Sequence, residues 1–327
     1  MKEKVLKLLI DAEQFLSGEE MSHTLGVSRT AVWKNINKLR GEGYCIESVT
    51  NKGYRLTMQP DQLDAYEIEQ LLGSKKLVEQ VFVYKSIDST NKEAKRKAME
   101  GNSYTALLLS EEQTIGIGRR GRQWVSKKGA GIYMSLLLRP LIKPINASMI
   151  TLVAGLAVQR AIGQITGLNS QIKWPNDLVI RNKKICGILT EMSSEMDFVN
   201  YVVIGIGINV NNQQFEEEIQ EVATSLSLEG GKIYPRKGLI IQIIKEFEQL
   251  YHQFLKEESL QFMIDSFNNQ CINVGKGVKV EGKDQNIIGN AIRVTEEGAL
   301  LIGLENGEEM IINAGEVSVR GLYGYVD

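Results

Sequence analysis

The chain is poor in the residues that do most redox and acid–base work: three cysteines and two histidines in 327 residues, with only five prolines. Cys45, Cys186 and Cys271 lie far apart in no C-x-x-C or other metal spacing. An odd, unpatterned set suits reduced thiols and a cytoplasmic setting rather than a disulfide-stapled fold. His23 and His252 fall in predicted helices away from every motif below. They can build no Ser-His-Asp triad and no zinc cluster, and are read as structural. Bulk basic charge is lacking too: the formal net charge is -2, so any nucleic-acid surface has to be local. Long uncharged apolar runs are missing. The first fifteen residues are broken by Lys4, Lys7, Asp11 and Glu13, unlike a secretory signal, and residues 149–158 are too few to span a bilayer. No membrane partner is expected.

What is present is a globular composition, 43% apolar and 24% charged, with room for two or three domains. Patterning divides it at 1–62, 63–270 and 271–327. In the first block Val5, Leu8, Leu9, Ala12 and Phe15 recur at helical spacing. A second helix covers 19–25, and Gly26-Val27-Ser28 makes a tight turn with Ser28 as N-cap. A third helix, 29–40, carries Val32, Ile36 and Leu39 on one face and ends at Gly41 and Gly43. Strands 44–49 and 53–57 flank the turn Asn51-Lys52-Gly53. Three helices and a hairpin make a winged helix-turn-helix. Residues 28–40 hold Arg29, Lys34, Lys38 and Arg40 and no acid. Ser28, Arg29, Thr30, Trp33, Lys34, Asn37 and Lys38 are therefore the candidate DNA contacts of a helix entering the major groove. Asn51, Lys52 and Arg55 of the wing would lie near backbone. Packing between helix and wing is the alternative for Trp33, and a solvated interaction face the alternative for the whole helix.

The second block alternates strands (81–84, 106–109, 131–138, 172–180, 185–192, 201–210) with helices (64–72, 91–100, 148–166, 238–255), the pattern of α/β layers on a mixed sheet. Lys92, Lys95, Arg96 and Lys97 are read as a solvated helix face. The third block has five short β segments, 275–282, 287–296, 298–305, 308–313 and 316–321, spaced as in a small barrel.

Three stretches break the local rules of their elements, which marks candidate sites. Residues 113–124 place Gly116, Gly118 and Gly121 at G-x-G-x-x-G spacing. No helical period follows Gly121 and no G-x-x-x-x-G-K-[ST] exists, so both nucleotide-fold signatures fail. What remains is a flexible loop carrying Arg119, Arg120 and Arg122, able to close over a phosphate or carboxylate. Lys173-Trp174-Pro175-Asn176-Asp177 interrupts what reads as one apolar strand, and Lys184 and Gly187 follow across the 181–183 turn. Gly205 and Gly207, before Asn209, are two glycines inside a strand, where another group can approach the backbone.

With Asp88-Ser89-Thr90-Asn91, these stretches resemble the biotin–protein ligase family in order and spacing across nearly the whole chain. Specifically, they resemble its bifunctional bacterial members, which double as repressors of biotin synthesis. The Lys-Trp-Pro-Asn-Asp run with the Lys/Gly turn is the most specific part. The resemblance implies an α+β chain with a winged helix-turn-helix, a mixed-sheet α/β ligase domain and a small SH3-like β-barrel. It implies that biotin and Mg-ATP give biotinyl-5′-AMP, from which a carrier lysine takes the biotin. Biotin would be bound by Ser89, Thr90, Asn91, Gln113, Gly116, Ile117, Gly118, Arg119, Lys184 and Gly187. ATP would be bound by Arg120, Arg122, Trp124, Asn176, Asn209 and Arg320. Arg119, Lys184 and Asp177 would act in catalysis. For Asp177, Mg2+ binding, steering of the incoming lysine and a structural cap all remain open, and no metal site is assigned. The implied partners are the biotin carboxyl carrier protein of acetyl-CoA carboxylase and other carboxylases, operator DNA, and a second copy in a homodimer. The adenylate would order the glycine-rich loop and so complete the dimer surface. One departure is Ile117, where the family loop often has a basic or polar residue. Three rivals stand beside this reading: a regulator whose ligase fold only senses biotin, a ligase whose head has lost operator binding and serves only stability, and a lipoate ligase of similar fold.

Overall fold

The computed structural model describes residues 1–12, 14–41, 44–49, 52–58, 61–73, 77–282, 286–314, 318–321 and 325–326. Glu13, Gly43, Asn51 and Glu316, each used above, lie outside them. The chain divides into two compact units, Met1–Glu67 and Ile68–Asp327.

In the first unit α1 (Lys2–Asp11) buries Val5, Leu6 and Leu9. Leu6 rather than Leu8 completes the inward face, and the helix stops before Ala12 and Phe15. Phe15 instead lies under the Arg55 guanidinium, 4.6 Å away. A capping box opens α2 (Gly18–Leu25), with Ser17 and Glu20 exchanging hydrogen bonds. The helix closes on Gly26 at φ 63, where a β-carbon would be strained. Ser28 caps α3 (Arg29–Gly41) as expected, its Oγ accepting from Ala31 N at 3.2 Å. Val32, Ile36 and Leu39 are its buried face. β1 (Cys45–Val49) and β2 (Gly53–Met58) form the antiparallel wing. Arg40 joins α3 to it by donating to Ile46 O and Ser48 Oγ. α4 (Ala65–Leu72) follows.

The second unit runs β3 (Gln80–Tyr84), α5 (Thr90–Met99), β4 (Ala106–Ser110), β5 (Gly131–Leu138), α6 (Met149–Thr166), β6 (Gln171–Lys173), β7 (Asp177–Ile180), β8 (Lys183–Ser194), β9 (Val199–Asn209), α7 (Leu226–Gly230), α8 (Arg236–Glu257) and α9 (Ile264–Gln270). Its seven strands stand in the order β3-β4-β5-β9-β8-β7-β6. The β3–β4 pair is parallel and the others antiparallel, the mixed sheet expected. The single strand expected over 172–180 is two. Lys173 pairs with Asp177, and Trp174-Pro175-Asn176 is the turn between β6 and β7. Proline has no N–H for a ladder, so the run breaks there. The Trp174–Pro175 bond is cis.

The glycine-bearing face of the sheet carries α5, whose Asn91 lies against Gly205. The other face buries Ile204, Ile206, Ile208 and Ile188 beneath α6 and α8. Pro144–Thr166 is long and apolar enough to cross a membrane by length and composition alone, but it is mostly buried inside this unit, as a core helix is. The same unit contains β10 (Gly277–Glu281), β11 (Asn286–Val294), β12 (Leu300–Gly303), β13 (Glu309–Ile312) and β14 (Ser318–Gly321), an antiparallel sheet in the order β13-β12-β11-β10-β14. Trp174, 1% exposed, ties it to the turn by donating Nε1–H to Gly298 O at 3.0 Å.

Candidate active site

Directly paired residues share a sheet face, so Gly187, Gly207 and Tyr133 form one row across β8, β9 and β5, and Leu189, Gly205 and Ser135 the next. The missing β-carbons make the site. A Cβ on Gly205 would stand 2.2 Å from Asn91 Oδ1, and one on Gly207 2.5 Å from Trp124 Cε2. One on Gly187 would meet Trp124 Cζ3 at 3.0 Å. The indole therefore lies directly on the sheet, and a cavity of about 380 Å³ opens around it.

Over β5 the cavity wall is neutral and hydrogen-bonded. Ser89 caps α5. Gln113 Oε1 accepts from Thr90 N at 2.8 Å and Thr90 Oγ1 at 3.1 Å, and its Nε2 donates to Ser126. Ser135 Oγ donates to Asn91 Oδ1 (2.6 Å) and lies 2.8 Å from Thr90 Oγ1. Asn91 is held in turn by Glu191, which also pairs with Lys95 at 2.5 Å.

Over β7 and β8 the wall is cationic. Lys184 Nζ is 2.7 Å from Asp177 Oδ1, and Tyr325 Oη donates to Asp177 Oδ2 at 2.5 Å. Lys173, 5% exposed, places Nζ 3.9 Å from the Tyr325 ring centre. Arg119 donates to Asn176 Oδ1 (2.8 Å) and Ala314 O (2.6 Å). Three cations thus surround one carboxylate. Burial drags the Lys173 ammonium down to about 8 and also lowers the Arg119 guanidinium. Burial pushes Asp177 up, but Lys184, Lys173 and Tyr325 together hold it below the ordinary carboxylate value.

The glycine-rich loop is bridged into a hairpin finger. Gln113 bridges Ser126, Ile117 bridges Gln123, and Trp124 N donates to Gly116 O at 2.9 Å. At its tip Arg119–Gly121 forms a 3-10 turn with Arg120 at φ 57. Every biotin or ATP candidate named above lines the cavity except Gly116, which lies under the Trp124 backbone, 2.3 Å from a would-be Cβ. Arg120, Arg122 and Ile117 are exposed on the finger. Asn209 donates to Thr224 O, and Arg320 pairs with Glu281 at 3.1 Å.

Sequence reasoning assigned no role to Lys173, Ser135 or Tyr325. Ser135 carries a signal, since it is the one hydroxyl besides Tyr133 in the wholly buried β5. Tyr325 has no local pattern to reveal it. The charge run on α5 is ion-paired rather than merely solvated: Arg96 holds Asp88 (2.8 Å) and Glu93 (2.6 Å), and Lys97 holds Glu100. On α3, Arg29, Thr30, Lys34 and Lys38 are exposed, as is the N-cap Ser28, and Asn37 is half-buried. Trp33 is 52% exposed, so packing does not cover it. Arg55 is engaged by Glu47 at 2.8 Å.

Residues 83–209 match the model of the Biotin/lipoate A/B protein ligase family, residues 2–55 an HTH domain, and residues 274–320 the Biotin protein ligase C terminal domain. The bifunctional ligase/repressor BirA of Bacillus subtilis is 37% identical over 319 residues, 96% of this chain and 97% of that protein. The Escherichia coli bifunctional ligase/repressor BirA is 32% identical over 97% of this chain and 96% of its own length. The biotin protein ligase from Aquifex aeolicus in complex with biotin and ATP superposes with a TM-score of 0.66 at 33% identity, covering 74% of this chain and 99% of that one. Fold and sequence thus define a biotin–protein ligase carrying a helix-turn-helix head. The chain belongs to the bifunctional biotin–protein ligase/repressor family.

Proposed function

We propose that the chain activates biotin with ATP, passes the biotinyl group to a lysine of a biotin carboxyl carrier protein, and represses biotin synthesis and transport genes through its head. The labour would divide as 1–62 for DNA, 63–270 for ligation and 271–327 for completing the nucleotide side. One observation carries the ligase reading: a single cavity with a neutral hydrogen-bonding wall over β5 and a cationic wall over β7 and β8. Two to three strand spacings separate them, about 10–14 Å. Biotin has a matching build, with a neutral ureido head, an apolar ring for Trp124 to pack on, and a carboxylate at the end of a flexible arm.

In the first step a biotin carboxylate oxygen attacks the α-phosphorus of ATP, and pyrophosphate leaves as the α–β bridge bond breaks. Two anions must meet, and Arg119 and Lys184 offset charge that grows in the transition state. In the second step the neutral carrier amine attacks the acyl carbon, and AMP leaves. The finger would cover the adenylate and exclude water. Among the described residues no cluster of three His, Cys, Asp or Glu offers a metal cage, and Lys184 and Tyr325 engage both oxygens of Asp177. We therefore assign Mg2+ to the ATP phosphates as part of the substrate, and Asp177 to holding Lys184.

Residues 189–194 of β8 extend past β7 and pair only with β9 among the described residues. Met192, Met196 and Phe198 are exposed beside that open edge. An open, apolar edge favours pairing with a second copy, and a two-fold dimer matches a palindromic operator. Three free cysteines, one exposed, suit the cytoplasm. The helix-turn-helix head and the biotin-ligase tail favour biotin over lipoate. Biotin-dependent exchange of labelled pyrophosphate into ATP tests the reading. Exchange that needs biotin and ignores lipoate supports it, and binding of biotin without exchange would leave only a sensor.

A further inference from the structure

We infer that Tyr325 is a positioning residue for biotin activation: its hydroxyl fixes Asp177 so that Lys184 meets the reacting carboxylate and phosphate. This rests on the reading of Lys184 given above. The two carboxylate oxygens of Asp177 are divided between partners, Oδ1 to Lys184 (2.7 Å) and Oδ2 to Tyr325 (2.5 Å). Asn176 Nδ2 lies 3.2 Å from Oδ1. With both oxygens held, Asp177 has one orientation, and the Lys184 ammonium has one place to sit.

Tyr325 is itself held from two sides. Lys173 Nζ stands 3.9 Å from its ring centre, a cation on an aromatic face. The neighbouring Val326, 2% exposed, packs with Val179 of β7 and Ile272. Tyr325 also lines the cavity beside Lys184 and Arg119. Its ring has a second effect, since it keeps Lys173 occupied. Without the tyrosine, Asp177 Oδ2 is open and Lys173, already beside that carboxylate electrostatically, competes with Lys184 for it. A buried carboxylate that loses a donor is costly to leave as it is, so the pair rearranges rather than waiting.

The test compares Tyr325→Phe, Tyr325→Leu and Lys184→Ala in biotin-dependent pyrophosphate exchange, with kcat, both KM values and thermal unfolding measured for each. Tyr325→Phe keeps the ring and the packing. It should unfold at the wild-type temperature, hold both KM values within about two-fold, and lose kcat by about ten-fold, the scale of a charge-assisted hydrogen bond. Tyr325→Leu, which also frees Lys173, should lose more. A Tyr325→Phe protein with wild-type kcat, or one whose loss only tracks a lowered unfolding temperature, overturns the proposal. Inactive Lys184→Ala beside such a result leaves the ligase reading standing. Fully active Lys184→Ala removes that reading of Lys184, and the proposal with it.

Discussion

At Gly207 the absence of one carbon decides where Trp124 can lie, since a Cβ would stand 2.5 Å from its Cε2. Gly207→Ala must lift the indole from the sheet. Overpacking of this kind costs about 1–3 kcal/mol. We expect urea unfolding to show a loss in that range and calorimetric titration to show biotin binding weakened by about five-fold to 150-fold, the same cost read as affinity. Asp88 gives a pH prediction. The Arg96 hydrogen bonds lower its carboxyl to about 2 from 3.8; burial pushes the other way by less, and the Ser89 N–H adds a smaller lowering effect. A depressed folded pKa stabilises the fold above the unfolded value, and the contribution fades as pH falls through about 4 towards 2. Solvent screening of so exposed a pair limits it to about 1 kcal/mol. The difference in unfolding free energy between wild type and Asp88→Asn should therefore be full at pH 7 and shrink below pH 4. A constant difference would contradict the assignment. At this scale the site was legible wherever a residue type clashed with its element: two glycines in β9, a proline and polar groups in an apolar run, three arginines among glycines. Tyr325 clashes with nothing nearby, and its partner Asp177 is distant in sequence, so only folding brings the pair together.

The elements were readable from period and punctuation, and the errors came where two elements share one apolar run. β6 and β7 read as one strand because apolar residues flank the turn on both sides, and spacing alone cannot show a chain reversal. The finger read simply as a flexible glycine-rich loop because its bridges, Gln113–Ser126 and Ile117–Gln123, pair polar or isolated residues without a strand pattern. As a finger it is anchored at its tip by Arg119 to Asn176 and Ala314 O. Arg119→Gly removes both anchors and one of three cations. We expect adenylate synthesis to slow by about 100-fold, in the range seen when one charge-stabilising donor is lost. We also expect protease cutting within 114–124 to quicken, as an unanchored hairpin opens more often. Slower synthesis with unchanged proteolysis would separate the cation from the anchor and leave only the first role.

Across the molecule, the two compact units coincide with two kinds of chemistry, a basic helix face in the first and the cavity in the second. Trp33→Ala with Lys34→Ala removes exposed groups from α3 and touches no cavity residue. Operator binding should weaken by ten-fold or more, at about 1–3 kcal/mol for a lost base contact, while carrier biotinylation stays at the wild-type rate. Loss of both would mean the double variant unfolds, which the far-ultraviolet spectrum would reveal. The domain order was legible from the sequence because each block has its own period. The joining of the third block to the second was not, because it depends on Trp174 reaching Gly298 O and Arg119 reaching Ala314 O. The central claim is ligation itself. Purified protein incubated with biotin, Mg-ATP and a biotin carboxyl carrier domain, followed by mass spectrometry of the carrier, tests it most directly. The account predicts a gain of one biotin on a single lysine, dependent on ATP. No gain, from protein that still binds biotin, would contradict it.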